Sequence, residues 1–138
     1  MKKIILPGII AGIAMLVLSM VVGMLTNLAF PSLMNEYENP ALFRSWSDPI
    51  MNLYYLHPFL VGILLAWAWD KTKKLVKAKG PYGRGLHFGL AFFAISTIPG
   101  MLISYSSFPV SLAMIATWSI SSLVQLIGAG IVYAKMNP

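Results

Sequence analysis

The stretch MNLYYLHPFLVGILLAWAWDKTKK, residues 51–74, decides the fold of this protein. Its first nineteen residues contain no Lys, Arg, Asp or Glu, and four of its last five residues are charged. A helix needs about 20 apolar residues to cross a bilayer. The stretch therefore predicts a membrane span that ends at a charged surface.

The rest of the chain repeats this pattern. Of its 138 residues, 58% are hydrophobic and only 10% are charged, whereas a soluble domain carries about 25% charged residues. Charge-free runs cover residues 4–30, 49–69, 85–105 and 109–134, approximately. We therefore predict an all-α, polytopic membrane protein, a single four-transmembrane-helix bundle over residues 1–138. The first run is too long for the h-region of a secretory signal, so we expect an uncleaved span.

The charges sort onto two sides of the predicted membrane. The basic side comprises Lys2, Lys3, the loop 70–84 and Lys135; its nine positive charges and one negative charge give +8. The loop 31–48 on the other side carries three negative charges and one positive charge, or −2, and the two sides add to the net +6. Because Lys- and Arg-rich loops stay inside, we expect both termini to be cytoplasmic, in the plasma membrane.

The membrane topology therefore accounts for the net positive charge without a nucleic-acid partner. Basic residues beside a span attract anionic lipid head groups at about 1 kcal/mol each. The predicted partners are therefore membrane lipids, contacted through Lys71, Lys73, Lys74, Lys77, Lys79 and Arg84.

The loop 31–48 is expected to lie at the outer membrane interface. Asp48-Pro49 predicts a helix N-cap followed by Pro at the first helical position, and Asn39-Pro40 gives the same signal earlier. Leu42, Phe43 and Trp46 would then share one face of a short surface helix, preceded by an irregular segment.

Small and polar residues form a stripe on each span. In lipid, close approach of small residues and interhelical hydrogen bonds drive association more than leucine burial does. Each stripe is therefore a predicted packing face in a bundle, and a homo-oligomer or a membrane-protein partner is also expected. The packing residues are Gly8, Gly12, Ser19, Gly23 and Asn27, then Gly62, Ala66, Gly85 and Gly89, then Thr117, Ser121, Gln125 and Gly128.

The spacing also suggests a parallel two-plus-two helix repeat. Gly8 and Gly12 recur as Gly85 and Gly89, an offset of 77, and Leu60, Gly62, Trp67 and Ala68 recur as Leu126, Gly128, Tyr133 and Ala134, an offset of 66. Both pairs would enter the membrane from the same side, so the repeat axis would lie along the membrane normal.

The second half of the chain resembles a known kind of membrane protein. The stretch GRGLHFGLAFFAISTIPG, residues 83–100, followed by Tyr105, Pro109, Trp118, Gln125 and Gly128, is similar to a pattern in small prokaryotic four-span membrane proteins of unknown role. The resemblance implies the four-span fold and no particular activity.

Signals for chemistry are few. No Asp or Glu lies inside a predicted span, although coupled transporters commonly place a carboxylate there. The chain has no cysteine and no recognisable catalytic motif. His57 and His87 would lie some 15 Å apart along the membrane normal at 1.5 Å per residue, too far to share a metal ion. We therefore predict no metal site, no cofactor and no catalytic residue.

His57 has two interpretations. Pro58 removes the backbone N–H that the Tyr54 carbonyl would accept, so His57 could brace a kink by bonding to another helix. Alternatively, a second kink at Pro99 and polar side chains at similar depth could line an outward-facing vestibule. Its candidate residues are His57, Asn52, Tyr54, Tyr55, Thr97, Ser104, Tyr105 and Thr117. Against the vestibule, Gly62 and His57 point about 140° apart on a helix.

Three function classes stay open. The stripes and the absence of intramembrane carboxylates favour an accessory, scaffold or regulatory protein that acts through helix contacts. The vestibule would suit a small-solute transporter or channel. A membrane enzyme acting on lipid or quinone is the third class.

Overall fold

The computed structural model describes residues 2–138 as an all-helical bundle. The described residues contain no β-strand, and four helical spans are long and apolar enough to cross a membrane. The α-helices are α1 (Lys2–Ala29), α2 (Leu33–Tyr37), α3 (Asn52–Thr72), α4 (Gly80–Phe92), α5 (Ile98–Ser107) and α6 (Leu112–Met136). A 3-10 turn, Pro49–Met51, leads into α3, and a π-helical segment, Phe93–Thr97, joins α4 to α5.

Two close helix pairs build the bundle. α1 packs against α3, α4 packs against α6, and the long helices α1 and α6 also pack against each other. The main core consists mostly of residues that these helices bury together, including Ala11, Met15, Ala66, Phe88 and Ala129. The four-helix bundle predicted from the apolar runs is therefore what forms.

The two ends of the bundle differ in charge. We call one the basic end: it carries Lys3, Lys73, Arg84 and Asn137, which hydrogen bonds link to one another. We call the other the acidic end: it carries the segment 30–51, with Glu36, Glu38 and Asp48, and the short connection 108–111.

The acidic-end segment differs from its sequence prediction. Its helix is α2, inside the part predicted to be irregular, whereas the residues after Asn39-Pro40 form turns. The Asn39 side chain accepts a hydrogen bond from the Ala41 N–H, two residues on. That local turn takes the place of the predicted cap, so the surface helix expected around Leu42, Phe43 and Trp46 was wrong. The predicted cap at Asp48 is present and accepts from the Ile50 N–H.

Candidate functional site

The predicted vestibule residues do not converge on one cavity. Asn52, Tyr54, Tyr55, His57 and Tyr105 are exposed on the outside of the bundle, Ser104 and Thr117 are half-buried, and Thr97 is buried. His57 therefore occupies the outer face of α3, away from the buried Gly62, as their separation on the helix requires.

The buried and half-buried members of this set are hydrogen-bonded to other groups. The Thr97 and Ser122 hydroxyls lie 2.7 Å apart and join the π-helical segment to α6. Ser104 donates to the Gly100 carbonyl, and Thr117 donates to the Met114 carbonyl. These hydroxyls therefore hold helices together or bond back to their own helix.

The two predicted kink prolines have different surroundings. Pro58 is buried inside α3, which is helical on both sides of it. Pro99 follows the π-helical segment, where the Ile98 N–H bonds to the Phe93 carbonyl, five residues back. A π-helical turn inside an α-helix is rare and often marks a functional position. Here the wider turn brings Thr97 to Ser122.

A cavity of about 190 Å³ lies at the acidic end, between the segment 30–51 and α5–α6. Ser104 is its only lining residue from the predicted vestibule. The N–H of Trp118, which also lines it, already donates to the Tyr37 hydroxyl, 2.6 Å away. The lining is otherwise apolar and comprises Leu42, Phe43, Phe108 and Val110.

Most of the predicted glycines do bring helices together. A methyl group added at Gly8 would lie 2.6 Å from the Ile63 Cα, and one added at Gly12 would lie 2.9 Å from the Phe59 Cα. No Cβ is tolerated below 3.0 Å without movement. α1 and α3 therefore touch backbone to backbone, and a Cβ at Gly62 would meet the Gly8 carbonyl oxygen from the other side.

The α4–α6 pair makes the same kind of contact. A methyl group at Gly85 would lie 2.6 Å from the Ile131 Cα, and one at Gly89 would lie 2.7 Å from the Ile127 Cα. On α6, Gly130 faces Gly85, so the predicted Gly128 is not the α6 glycine of this pair. Gly128 instead faces the Leu18 side chain of α1.

The remaining predicted packing residues have other surroundings. Nothing lies within 4 Å of a methyl group built at Gly23. Asn27 is exposed, and the half-buried Ser19 donates to the Leu16 carbonyl of its own helix. Ser121 accepts from the Gln125 amide, 2.9 Å away, within α6.

A hydrogen-bonded network at the basic end was not predicted. The buried Asn137 amide donates to the Lys3 carbonyl and to Asp70, and its side-chain oxygen accepts from Lys73. The Trp69 indole N–H donates to the Asn137 carbonyl, 2.8 Å away. One amide thus ties the start of α1, the end of α3 and the end of α6 together.

Arg84 and Trp69 link α4 to α3 at the same end. The Arg84 guanidinium lies 5.1 Å from the centre of the Trp69 ring and donates to the Lys73 carbonyl. The rings of Trp69 and Phe88 meet edge-on at 5.2 Å. Trp67 and Trp69 at the end of a span predict an interfacial aromatic belt from the sequence. Trp67 is exposed, and only the packed helices show that Trp69 is fully buried.

The structure divides the six predicted lipid-binding cations into two groups. Lys71, Lys74, Lys77 and Lys79 are exposed. Lys73 and Arg84 are half-buried and bonded within the protein. The predicted contact with lipid head groups therefore narrows to the exposed four.

At the acidic end, Glu36 anchors the loop to α6. One of its carboxylate oxygens accepts from the Ser111 backbone N–H, 3.0 Å away, at the N-terminus of α6. Hydrogen bonds from the Ser111 hydroxyl and the Ser111 N–H lower the pKa of Glu36. A helix N-terminus also stabilises a negative charge, and this effect changes the pKa of Glu36 in the same direction.

Potential metal ligands are dispersed in the part of the chain described. Residues 2–138 contain no group of three or more His, Asp or Glu side chains placed to hold a metal ion. Every buried side-chain nitrogen and oxygen there has a hydrogen-bond partner.

The fold and these surfaces define a multi-pass helical membrane protein. Comparisons with protein-family models, curated proteins and solved structures give no match to this chain. The chain's own geometry therefore carries the functional argument.

Proposed function

We propose that this protein is a non-enzymatic membrane component that acts through helix–helix contacts, as an accessory, scaffold or regulatory subunit. One observation carries the proposal. The small-residue face of α1 is filled by α3 over its first half and is bare over its second half, at Gly23 and Asn27.

The second half of the α1 face is uncovered because α1 extends beyond the first residue of α3. α1 and α3 run antiparallel, with Gly8 against Ile63 and Gly12 against Phe59. Continuing at that register, the first residue of α3, Asn52, falls opposite Ser19. The face of α1 beyond Ser19 therefore projects past the helix that covers its first half.

We call Ser19, Gly23 and Asn27 the α1 stripe. Its surroundings are open: the neighbouring Met24 and Leu28 are 72% and 82% exposed. Small residues let a second helix approach closely in a membrane, and an Asn amide can hydrogen-bond to it. The stripe therefore suits a transmembrane helix of another protein or of a second copy.

The proposed orientation puts the basic end in the cytoplasm. Short Lys- and Arg-rich loops stay inside, so both termini would be cytoplasmic in the plasma membrane. The exposed Lys71, Lys74, Lys77 and Lys79 would then meet anionic lipid head groups. The α1 stripe would lie near the outer surface.

Site-specific photo-crosslinking in native membranes tests the function. A photoreactive amino acid at position 23 should cross-link to a protein helix, and Asn27→Leu should weaken the cross-link at least several-fold. Position 100 is the matched control, because a methyl group at Gly100 also meets nothing within 4 Å. Cross-links to lipid alone at both positions would overturn the proposal.

A further inference from the structure

Three aromatic rings line the cavity of about 190 Å³ at the acidic end. Each ring comes from a different part of the chain: Phe43 from the segment 30–51, Phe108 from the connection between α5 and α6, and Trp118 from α6. The rings of Phe43 and Trp118 are nearly perpendicular, at 86°, and their centres lie 6.2 Å apart. They therefore form two adjoining walls of the cavity.

The two walls are held in place by a third aromatic residue. The Trp118 indole N–H donates to the Tyr37 hydroxyl, 2.6 Å away, and the Tyr37 ring packs against Phe43 with their centres 5.6 Å apart. A site whose side chains are already fixed loses little conformational freedom when a ligand binds. The rings are therefore preorganised around the cavity.

The six lining residues leave no N–H or O–H free for a ligand. The Trp118 N–H bonds to Tyr37, and the Ser104 hydroxyl donates to the Gly100 carbonyl. The backbone N–H groups of Ser104 and Trp118 lie inside helices, and those of the other four lining residues bond to backbone carbonyls; these four are Leu42, Phe43, Phe108 and Val110. An anion or a sugar would lose its hydrogen bonds to water here without replacement, which is costly. The cavity therefore suits a group that needs no hydrogen bond.

A negative charge lies beside the cavity. Val110 lines it, and the next residue, Ser111, donates its backbone N–H to the Glu36 carboxylate, 3.0 Å away. Arg44, the only basic residue of the acidic end, is already ion-paired with Asp48 at 3.0 Å. The charge near the rings therefore favours a cation.

A quaternary ammonium group has all the properties that this cavity selects. It is a cation without an N–H, its methyl groups fill an apolar space, and aromatic rings attract it. An engineered apolar cavity of about 150 Å³ holds benzene, so about 190 Å³ leaves room for a trimethylammonium group. We propose that the cavity binds a quaternary ammonium group, as in choline, between Phe43, Phe108 and Trp118.

Binding has to offset the water that the cation loses. The rings and the Glu36 carboxylate supply the attraction, and Phe108, which is 57% exposed, keeps the site close to the surface of the protein. A neutral group of the same shape gains nothing from either charge effect. The comparison of a cation with its neutral analogue is therefore the decisive one.

Equilibrium dialysis of labelled choline tests the site, with the full chain purified in alkyl maltoside micelles. The competitor is the neutral alcohol in which a tert-butyl group replaces the trimethylammonium group of choline. We expect one bound choline per chain. The neutral alcohol should displace it about ten-fold more weakly than unlabelled choline does.

Ring variants test which residues form the site. Phe43→Leu and Phe108→Leu keep an apolar side chain but remove a ring, so each should weaken choline binding about three-fold or more. Phe108 lies outside the helices, so its replacement should leave the fold intact. Phe30→Leu is the matched control, because Phe30 is 54% exposed at the same end and does not line the cavity.

A charge variant tests the part played by the carboxylate. Glu36→Gln should weaken the binding of choline and leave that of the neutral alcohol unchanged. Glu38→Gln is its control, because the Glu38 side chain is exposed and its charge is screened by water and salt.

Phospholipids added to the micelles distinguish two sources of the ammonium group. If phosphatidylcholine displaces choline and phosphatidylglycerol does not, the site accepts a lipid head group. If neither displaces choline, the site takes a soluble ligand. Equal displacement by both lipids would overturn the proposal, because the acyl chains would then be the ligand.

Three further results would overturn the proposal. They are the absence of choline binding at millimolar concentration, equal displacement by choline and the neutral alcohol, and a loss in Phe30→Leu as large as in Phe108→Leu. Asn27→Leu, in the α1 stripe, should leave choline binding unchanged, so failure of this site and failure of the proposed function are separable.

Discussion

The Tyr133 hydroxyl donates a hydrogen bond to the backbone carbonyl of Gly62, 2.8 Å away, in the buried centre of the bundle. Tyr133 belongs to α6 and Gly62 to α3, and the opposite side of Gly62 faces α1, where an added Cβ would lie 2.9 Å from the Gly12 nitrogen. One glycine thus joins three helices, and its missing side chain lets α1 approach closely.

Removing this hydroxyl should destabilise the bundle without opening a cavity. We expect Tyr133→Phe to lower the free energy of unfolding by about 1 kcal/mol, the usual net contribution of such a bond. Reversible unfolding in mixed detergent measures it. Tyr105→Phe is the control, because Tyr105 is exposed; equal effects of the two changes would contradict the assigned role.

Methyl groups on the contact glycines should separate helices. Gly62→Ala and Gly130→Ala each place a Cβ against backbone of the facing helix, and overpacking costs about 1–3 kcal/mol. Gly23→Ala meets open space and should stabilise α1 by up to about 1 kcal/mol. Unfolding curves should therefore shift to lower stability for Gly62→Ala and Gly130→Ala and to higher stability for Gly23→Ala. A loss of stability in Gly23→Ala as large as in Gly62→Ala would contradict the packing.

Acid should release the acidic-end segment through Glu36. Because the folded pKa of Glu36 is lowered, its contribution is present above its ordinary pKa and is lost as pH falls through the folded pKa. We expect Trp118 fluorescence to change on acidification, since Trp118 bonds to Tyr37 beside Glu36.

Glu36→Gln should flatten that acid transition, because its amide does not titrate. Glu38→Gln is the matched control two residues away, at an exposed position. An acid transition that survives Glu36→Gln at full amplitude would remove Glu36 as its cause.

Removing the side-chain amide of Asn137 at the basic end should loosen three helix ends together. Asn137→Ala removes the side-chain amide that bonds to Asp70, to the Lys3 carbonyl and to Lys73, so the three helix ends lose their shared partner. Hydrogen exchange should rise at the start of α1 and the end of α3. Met136→Ala, at a 38% exposed position, should leave both unchanged; a purely local effect of Asn137→Ala would contradict the network.

The sequence predicted the spans well because each is set by a local property, a long run without charges. It also predicted that Gly8, Gly12, Gly62, Gly85 and Gly89 would be packing residues, since small residues in lipid have few other uses. It missed Gly130, because Gly128 is also a glycine on α6 and only the facing helix distinguishes the two.

Long-range contacts explain the other differences. The contact between α2 and α6 was missed because Glu36 bonds to Ser111, 75 residues away. Asn137 gives no local signal, since its partners lie on α1 and α3. The vestibule residues share a predicted depth, but depth along the membrane does not fix direction around a helix, and five of the eight point outward.

Accessibility labelling in sealed, oriented vesicles tests the central claim, a membrane-spanning bundle with its basic end in the cytoplasm. Lys77 and Asn39 are exposed at opposite ends, so Lys77→Cys and Asn39→Cys each add a single reactive thiol. A membrane-impermeant reagent should label position 77 only from the cytoplasmic side and position 39 only from the other side. Labelling of both positions from the same side would contradict the account.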